Sequence, residues 1–261
     1  MSSHSVQDKF SLGTWVQINN ATVIEIIGQS EMDFIVIDME HGNISLDSLE
    51  NLLRAAECSA LEAIVRVNEN NASLISKVLD LGPDGLLVPH ISSKVDAQKV
   101  VQYSKYPPYG NRGSCPTIRE ANHWCDNWVN FMDKSNKETK IIALVEGTDG
   151  ISNFQDIVQV EGIDYFMIGP FDLSVAMGIP GELSHPSIER KHKEVIQLTK
   201  KYGKELIGVD FSYDLNEIAS SIQQWKQRDI SKIMVGIDKM FFTKITQEVG
   251  QLKANIKGGN S

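Results

Sequence analysis

The chain has 261 residues, of which 41% are hydrophobic and 23% charged, and its formal net charge at pH 7 is −9. This composition is typical of a globular protein, and the acidic balance argues against broad binding to nucleic acid or to anionic membranes. No apolar run approaches the roughly 20 residues that span a bilayer, and the polar N-terminal stretch lacks the apolar core of a secretory signal. Three cysteines without a CxxC spacing favour reduced thiols, as in a cytoplasmic protein. Together with the acidic charge and the short apolar runs, they predict a cytoplasmic protein with neither nucleic-acid nor membrane partners.

Short apolar runs bounded by turn residues predict the strands of the fold, and segments with helical periodicity separate them. The predicted strands lie at 12–17, 34–40, 63–68, 85–90, 141–147, 164–170, 205–210 and 232–238. Continuous apolar strands that alternate with helices are typical of a parallel sheet covered on both faces. Eight repeats favour a (β/α)₈ TIM barrel over an open doubly wound sheet, which would normally carry a glycine-rich phosphate-binding turn.

The helical segments carry start and stop signals of their own. Ser45 and Asp214 are predicted N-caps, and Gly82 and Gly203 are predicted to end helices. The interval 91–140 is too long for a simple crossover, so we predict an excursion over the barrel mouth. We predict a single domain over 1–261, with flexible tails at 1–10 and 255–261.

Polar residues stand at the C-terminal ends of the predicted strands, where the chain is otherwise apolar. In a parallel barrel these ends meet at one face, so residues far apart in sequence are expected to converge there. A single polar residue after a strand is often only a turn residue or a helix cap. The residues in these positions are Gln17, Glu40, His41, Arg66, His90, Glu146, Gly169 to Asp172, Asp210 and Asp238.

Three of these residues point to chemistry. Arg66 lies between apolar neighbours and needs an anionic partner, which a structural salt bridge, a substrate carboxylate or an enolate would supply. Glu146 and Asp172 each follow a strongly apolar strand, and two converging carboxylates repel each other unless a proton or a metal lies between them. Oxygen ligands without a cysteine cluster indicate a Mg²⁺ or Mn²⁺ site with positions open for substrate and water.

With those strand ends in view, the chain resembles the HpcH/HpaI family of metal-dependent 2-keto-acid aldolases, which includes 4-hydroxy-2-oxoheptanedioate and 2-dehydro-3-deoxyglucarate aldolases. The resemblance runs from about residue 12 to residue 240. It is carried in order by "IDMEHG", "VRVN", "VLDLGPDGLLVPH", "YPPYGNRG", "LVEGTDGISNFQDI" and "IGPFDLSVAMG".

The resemblance implies a pyruvate-type (β/α)₈ barrel that uses a divalent metal, Mg²⁺, Mn²⁺ or Co²⁺. It implies that Glu146 and Asp172 bind the metal and that Arg66 contacts the keto or enolate oxygen. His41, supported by Asp80, would position the water that moves the proton. It also implies a homo-oligomer, usually a hexamer built as a trimer of dimers that exchange a C-terminal helix.

The substrate implied by the resemblance is a 2-keto acid, pyruvate or oxaloacetate, together with an aldehyde or an acyl donor. The backbone N–H groups of Phe171 and Asp172 would hold the substrate carboxylate, and we add Gln17 and Gly169 to the substrate-binding residues. Arg119 is expected to lie where the second substrate enters.

The sequence departs from the family pattern at positions that bear on the second substrate. His90 stands where family members often have an apolar residue, and Phe171 stands where some have alanine. The stretch "GSCPTIREANHW" is also unusual after "GNRG". The leading hypothesis is an aldolase that makes or breaks 4-hydroxy-2-keto acids through a pyruvate enolate. The alternatives are a citrate-synthase-like condensation of oxaloacetate with acetyl-CoA, as in siderophore assembly, and a non-catalytic barrel.

Overall fold

The computed structural model describes residues 10–258, and its centre is a closed barrel of eight parallel strands in chain order. Strand β1 pairs with both β2 and β8, so the ring has no free edge. The predicted (β/α)₈ TIM barrel is therefore confirmed, and each predicted strand overlaps an observed one. The strands are β1 Ser11–Val16, β2 Phe34–Asp38, β3 Glu62–Arg66, β4 Gly85–Val88, β5 Lys140–Val145, β6 Tyr165–Ile168, β7 Glu205–Asp210 and β8 Lys232–Ile237.

Helices connect successive strands on the outside of the barrel. Ser45 caps α2 through a reciprocal pair of hydrogen bonds with Ser48, and Asp214 caps α10, as predicted. The helices are α1 Ala21–Ile27, α2 Leu46–Cys58, α3 Ala72–Asp80, α4 Lys94–Ser104, α5 Trp128–Glu138, α6 Thr148–Ser152, α7 Phe154–Ile157, α8 Pro170–Ala176, α9 Pro186–Lys201, α10 Leu215–Gln227 and α11 Asp238–Gly258.

Between their polar ends the strands are mostly apolar, because both of their faces are buried. In β2, Phe34 and Val36 point into the barrel, whereas Ile35 and Ile37 pack against the helices. The same parity in β3 turns Ile64 inward. Side chains fill the barrel interior, so ligands have access only at its ends.

The segment between α4 and β5 packs at the N-terminal end of the strands, and the prediction that it passes over the mouth is wrong. Arg119 Nη1 donates to the carbonyl oxygen of Leu81 at 2.6 Å, just after α3. Its Nη2 lies 2.7 Å from a carboxylate oxygen of Glu57, near the end of α2. Helices of a (β/α)₈ barrel end at the face where the next strands begin, so both contacts lie opposite the mouth.

The C-terminal helix α11 carries an apolar surface that no other part of the described chain covers. Its residues follow helical spacing and are 56–73% exposed. We call this surface the α11 stripe; it consists of Phe242, Ile245, Val249, Leu252 and Ile256.

The predicted terminal tails fall mostly outside the described residues. Residues 1–9 and 259–261 lie beyond them, whereas 255–258 continue α11. Within residues 10–258, none of the helices combines the length and the apolar character that crossing a bilayer requires.

Candidate active site

Arg66 and Asp38 form a buried ion pair inside the mouth. They occupy facing register positions at the ends of β3 and β2. Arg66 Nε and Nη2 donate to the two carboxylate oxygens of Asp38 at 2.8 and 2.6 Å. Burial alone would raise the pKa of Asp38, but the hydrogen bonds and charge of Arg66 outweigh it and lower that pKa. The anionic partner that the sequence required for Arg66 is thus supplied within the chain.

Glu40 and Trp15 complete the surroundings of the Arg66 guanidinium. Glu40 Oε2 lies 2.9 Å from Arg66 Nη1, and the Trp15 ring lies under the guanidinium at 4.3 Å. The buried indole Nε1 of Trp15 has no hydrogen-bond partner in the described chain. A buried donor without an acceptor costs free energy, so the cavity offers an unused hydrogen bond to a ligand.

Glu146 follows β5 and is held by His90, which follows β4. The backbone N–H of His90 donates to Glu146 Oε1 at 2.9 Å, and His90 Nδ1 lies 2.7 Å from the same oxygen. The imidazole also reaches Glu40, with Nε2 3.0 Å from Oε1. His90 adopts a left-handed backbone conformation (φ 60°), which is uncommon for a residue with a side chain.

The carboxyl group of Glu146 lies where negative charge is unfavourable. Burial raises its pKa, and the Glu40 and Asp172 carboxylates raise it further, while His90 acts in the opposite direction. Gly169 leaves room for this side chain: a Cβ at Gly169 would lie 2.7 Å from Glu146 Cβ and 2.9 Å from its Oε2. Any larger residue at Gly169 would therefore displace Glu146.

The first turn of α8 borders the same cavity. The helix begins at Pro170, and no side chain caps it. The N–H groups of Phe171 and Asp172 find no acceptor in the part of the chain that the structure describes. Two backbone donors and the Asp172 carboxylate therefore face the mouth together.

Trp15, Arg66, Glu146 and the first turn of α8 line a cavity of about 300 Å³ at the C-terminal ends of the strands. Gln17 is fixed there, because its side-chain amide donates to Asp38 at 2.8 Å and its backbone N–H donates to Asp238 at 3.0 Å. The predicted site residues that the cavity brings together are Gln17, His41, Arg66, Glu146, Gly169, Phe171 and Asp172.

The donor set at the mouth fits an open divalent-cation site. Among residues 10–258, no three His, Cys, Asp or Glu side chains are grouped as a complete metal cage. Glu146 and Asp172 supply two carboxylates, and a hard cation would take its remaining oxygen ligands from substrate and water. A positive charge there would also offset the burial and repulsion that raise the Glu146 pKa.

Asp80 and Arg119 are not part of this cavity. Asp80 is the last residue of α3 and pairs with Arg112 Nη2 at 2.8 Å, on the N-terminal face. Arg119 is held on the same face by Leu81 and Glu57. The expectations that Asp80 supports His41 and that Arg119 meets the second substrate are therefore wrong for a single chain.

Sequence reasoning missed how Asp38 acts. Alternation along β2 and β3 turns Asp38 and Arg66 inward with Val36 and Ile64, so strand parity alone could have paired them. His192, which was not among the predicted site residues, lies within α9 beside Trp225 with its Nε2 buried.

Paired carboxylates, a buried arginine and a histidine at the mouth of a (β/α)₈ barrel define an enzyme of the aldolase class. The chain belongs to the HpcH/HpaI aldolase/citrate lyase family, whose model matches residues 11–239. The similarity read from the motifs is thereby confirmed.

Named relatives agree with this class over most of the chain. The 2-keto-3-deoxy-L-rhamnonate aldolase of Klebsiella pneumoniae is 32% identical over 235 residues, which cover 89% of this chain and 85% of that protein. Among solved structures, an HpcH/HpaI aldolase from Desulfitobacterium hafniense superposes with a TM-score of 0.86 at 22% identity, covering 94% and 93% of the two chains. Citrate synthase SbnG superposes with a TM-score of 0.83 at 28% identity, covering 97% and 96%. The Klebsiella aldolase and citrate synthase SbnG favour an enzyme over a non-catalytic barrel, and the Desulfitobacterium structure supports the fold.

Proposed function

We propose that the protein is a divalent-metal-dependent aldolase that cleaves or forms 4-hydroxy-2-keto acids through a pyruvate enolate. The observation that carries this proposal is the meeting of Glu146, Asp172 and Arg66 in one cavity. Retro-aldol cleavage leaves negative charge on the oxygen of the former keto group, so a site for it must concentrate positive charge and hydrogen-bond donors there.

The chain's own donors bind the keto acid. The free N–H groups of Phe171 and Asp172 donate hydrogen bonds to the substrate carboxylate, and the Arg66 guanidinium faces the keto oxygen. Asp38 and Glu40 hold that guanidinium in place, so no reorganisation is needed as charge develops.

Glu146 and Asp172 are the proposed ligands of Mg²⁺, Mn²⁺ or Co²⁺. When bound, the cation supplies Lewis-acid stabilisation of the developing enolate charge. His90 fixes the orientation of Glu146 from the side opposite Gly169.

His41 is the proposed proton-transfer group. It lines the cavity, it is exposed, and its ring has no hydrogen-bond partner among residues 10–258. An imidazole that is free at the mouth can take the proton of the C4 hydroxyl during cleavage and return it during synthesis.

Exchange of the methyl protons of pyruvate tests the proposal without any second substrate. The protein loaded with Mn²⁺ or Mg²⁺ should exchange these protons in D₂O, as followed by proton NMR, and should release pyruvate from 4-hydroxy-2-keto acids. Metal-loaded protein that leaves the methyl signal unchanged would refute the proposal.

A citrate-synthase-like condensation is the second candidate, and the match to citrate synthase SbnG over nearly the whole chain favours it. Oxaloacetate would occupy the keto-acid position, and its additional carboxylate would meet His90 once the exposed imidazole exchanges its contact with Glu40 for the ligand. Thiol release from acetyl-CoA in the presence of oxaloacetate, without aldol activity, would select this candidate.

We also propose that the protein is a cytoplasmic homo-oligomer, a hexamer built as a trimer of dimers. The α11 stripe supports a second copy, because an apolar surface on an otherwise amphipathic helix is costly in water. Light scattering of Val249→Glu should give a smaller mass than wild type, whereas Glu248→Gln should not change it. The free thiols of Cys58, Cys115 and Cys125 agree with a reducing compartment.

A further inference from the structure

The cavity at the mouth has a polar side and an apolar side. The polar groups follow β1, β2, β3 and β5 or belong to the first turn of α8, and the proposed function uses them for the keto acid and its proton. The side formed by the ends of β7 and β8 and by the segment that follows β7 carries Val209, Phe211 and Ile237, without a polar side chain lining this cavity. That side is the part of the cavity left for the second substrate.

Two aromatic rings dominate the apolar side. Phe171 and Phe211 meet with ring centroids 4.8 Å apart and planes inclined by 55°. Phe171 is 47% exposed although it is large and apolar, so much of its ring remains available. Phe171 belongs to α8 and Phe211 follows β7, so the pair joins the first turn of a helix to the loop after a strand.

The apolar side of the cavity would favour some aldehydes over others. A hydroxylated or charged substituent placed against it would lose water without gaining a hydrogen-bond partner. An aryl or branched alkyl substituent would bury apolar surface there, and an aryl ring would gain aromatic contacts as well.

We propose that the electrophile is an aldehyde with an apolar substituent, aryl or branched alkyl, which lies against Phe171 and Phe211. The proposal rests on the aldolase function proposed above and names its second substrate by class. The enolate carbon of pyruvate forms a bond to the aldehyde carbon, and the carbonyl electron pair becomes an alkoxide. That alkoxide takes the proton that pyruvate lost, so pyruvate and aldehyde together equal the product. Cleavage reverses each step.

The test compares two aldehydes on the same enzyme. Aldol formation from pyruvate with benzaldehyde and with glyceraldehyde gives two kcat/KM values, and their ratio cancels any effect on pyruvate binding. Wild type should prefer benzaldehyde by about tenfold or more, and Phe211→Ala and Phe171→Ala should each lower the ratio about fivefold. Phe171→Leu, which keeps apolar bulk without a ring, should give a ratio between that of wild type and that of Phe171→Ala. Val175→Ala is the matched control, because it removes an exposed apolar side chain from the same helix and should leave the ratio unchanged.

Three results would overturn the proposal. A wild-type preference for glyceraldehyde, or unchanged ratios in both alanine variants, would refute it while leaving the aldolase function intact if pyruvate exchange persists. A lower mass of both phenylalanine variants in light scattering would assign the rings to contact with a second copy instead. Absence of pyruvate exchange in wild type would refute both proposals together.

Discussion

The mouth and the N-terminal face of the barrel carry the same kinds of charged side chain but arrange them differently. On the N-terminal face opposite charges are paired: Arg112 Nη2 lies 2.8 Å from Asp80 and 2.7 Å from Glu120. Lys105, buried nearby, donates to two backbone carbonyl groups at 2.8 Å each. Such contacts satisfy charges that the fold has buried.

At the mouth, like charges are gathered instead. The carboxyl groups of Glu40, Glu146 and Asp172 lie close enough together that the charges of Glu40 and Asp172 add to burial in raising the pKa of Glu146. Arg66 is shared between Asp38 and Glu40, so its single charge does not neutralise the group as a whole. Opposite charges that pair stabilise a fold, whereas like charges held together indicate a bound cation or ligand.

The largest expected effect is on turnover at the mouth. Glu146→Gln and Asp172→Asn should each lower pyruvate-forming activity by about a thousandfold, because each removes a carboxylate from the proposed metal site. Melting temperature should stay the same or rise, since the amide relieves repulsion among the carboxylates. The control Glu161→Gln, at an exposed position, should behave as wild type. Retention of most activity in both site variants would contradict the assignment.

The next effect is on stability at the N-terminal face. Arg112→Met should lower the free energy of unfolding by about 3 kcal/mol, because it leaves the partly buried carboxylates of Asp80 and Glu120 without their cation. Urea unfolding followed by circular dichroism measures the loss. The double variant Arg112→Met/Glu120→Gln should recover part of it. A loss below about 1 kcal/mol would mean that water replaces the arginine there.

His192 should make stability depend on pH. Burial, with a smaller effect of Arg228, lowers its pKa from 6.5 to about 4. The unfolded chain therefore binds a proton between pH 6.5 and 4 that the folded chain does not. His192 costs no stability above pH 6.5, and as pH falls toward 4 the loss grows to about 3 kcal/mol. Urea unfolding across this range should give a shallower dependence for His192→Gln than for wild type. Equal slopes would contradict the burial of an uncharged ring.

The smallest expected effect is that of replacing Arg119, and it tests directly whether the N-terminal face takes part in the chemistry of the mouth. Arg119→Met should cost about 1 kcal/mol of stability and leave the KM for the keto acid within about twofold of wild type, because Leu81 and Glu57 already use its donors. Arg119→Lys, which keeps the charge, serves as the control. A KM that rises in Arg119→Met but not in Arg119→Lys would show that the charge of Arg119 contributes to substrate binding, at the mouth of another copy.

The barrel and most of the mouth could be predicted from the sequence because strand ends obey a simple rule. A parallel strand that is apolar throughout and then turns polar brings its last residues to the common face, as Glu146 and Arg66 do. The motifs of the family added which of these residues to expect together.

Asp80 and Arg119 escaped this rule for different reasons. Asp80 is the last residue of α3, the helix that leads into β4, so its place at the helix end puts it on the N-terminal face. The family resemblance implied a role beside His41 instead, which this position does not allow. Arg119 lies in an irregular segment without periodicity, whose path is set by contacts with Leu81 and Glu57 that sequence alone does not reveal. The Phe171–Phe211 contact joins the first turn of α8 to the loop after β7 and likewise has no local sequence signal.

The closure of the ring also determines when the site can exist during synthesis. The carboxylate of Asp238 accepts hydrogen bonds from the backbone N–H groups of Gln17 and Ile18, at 3.0 and 2.8 Å. The first loop of the mouth is therefore fastened by the residue that follows the last strand. A nascent chain whose β8 has not yet left the ribosome cannot complete the mouth. Catalytic activity would therefore appear only after the final strand has joined the barrel.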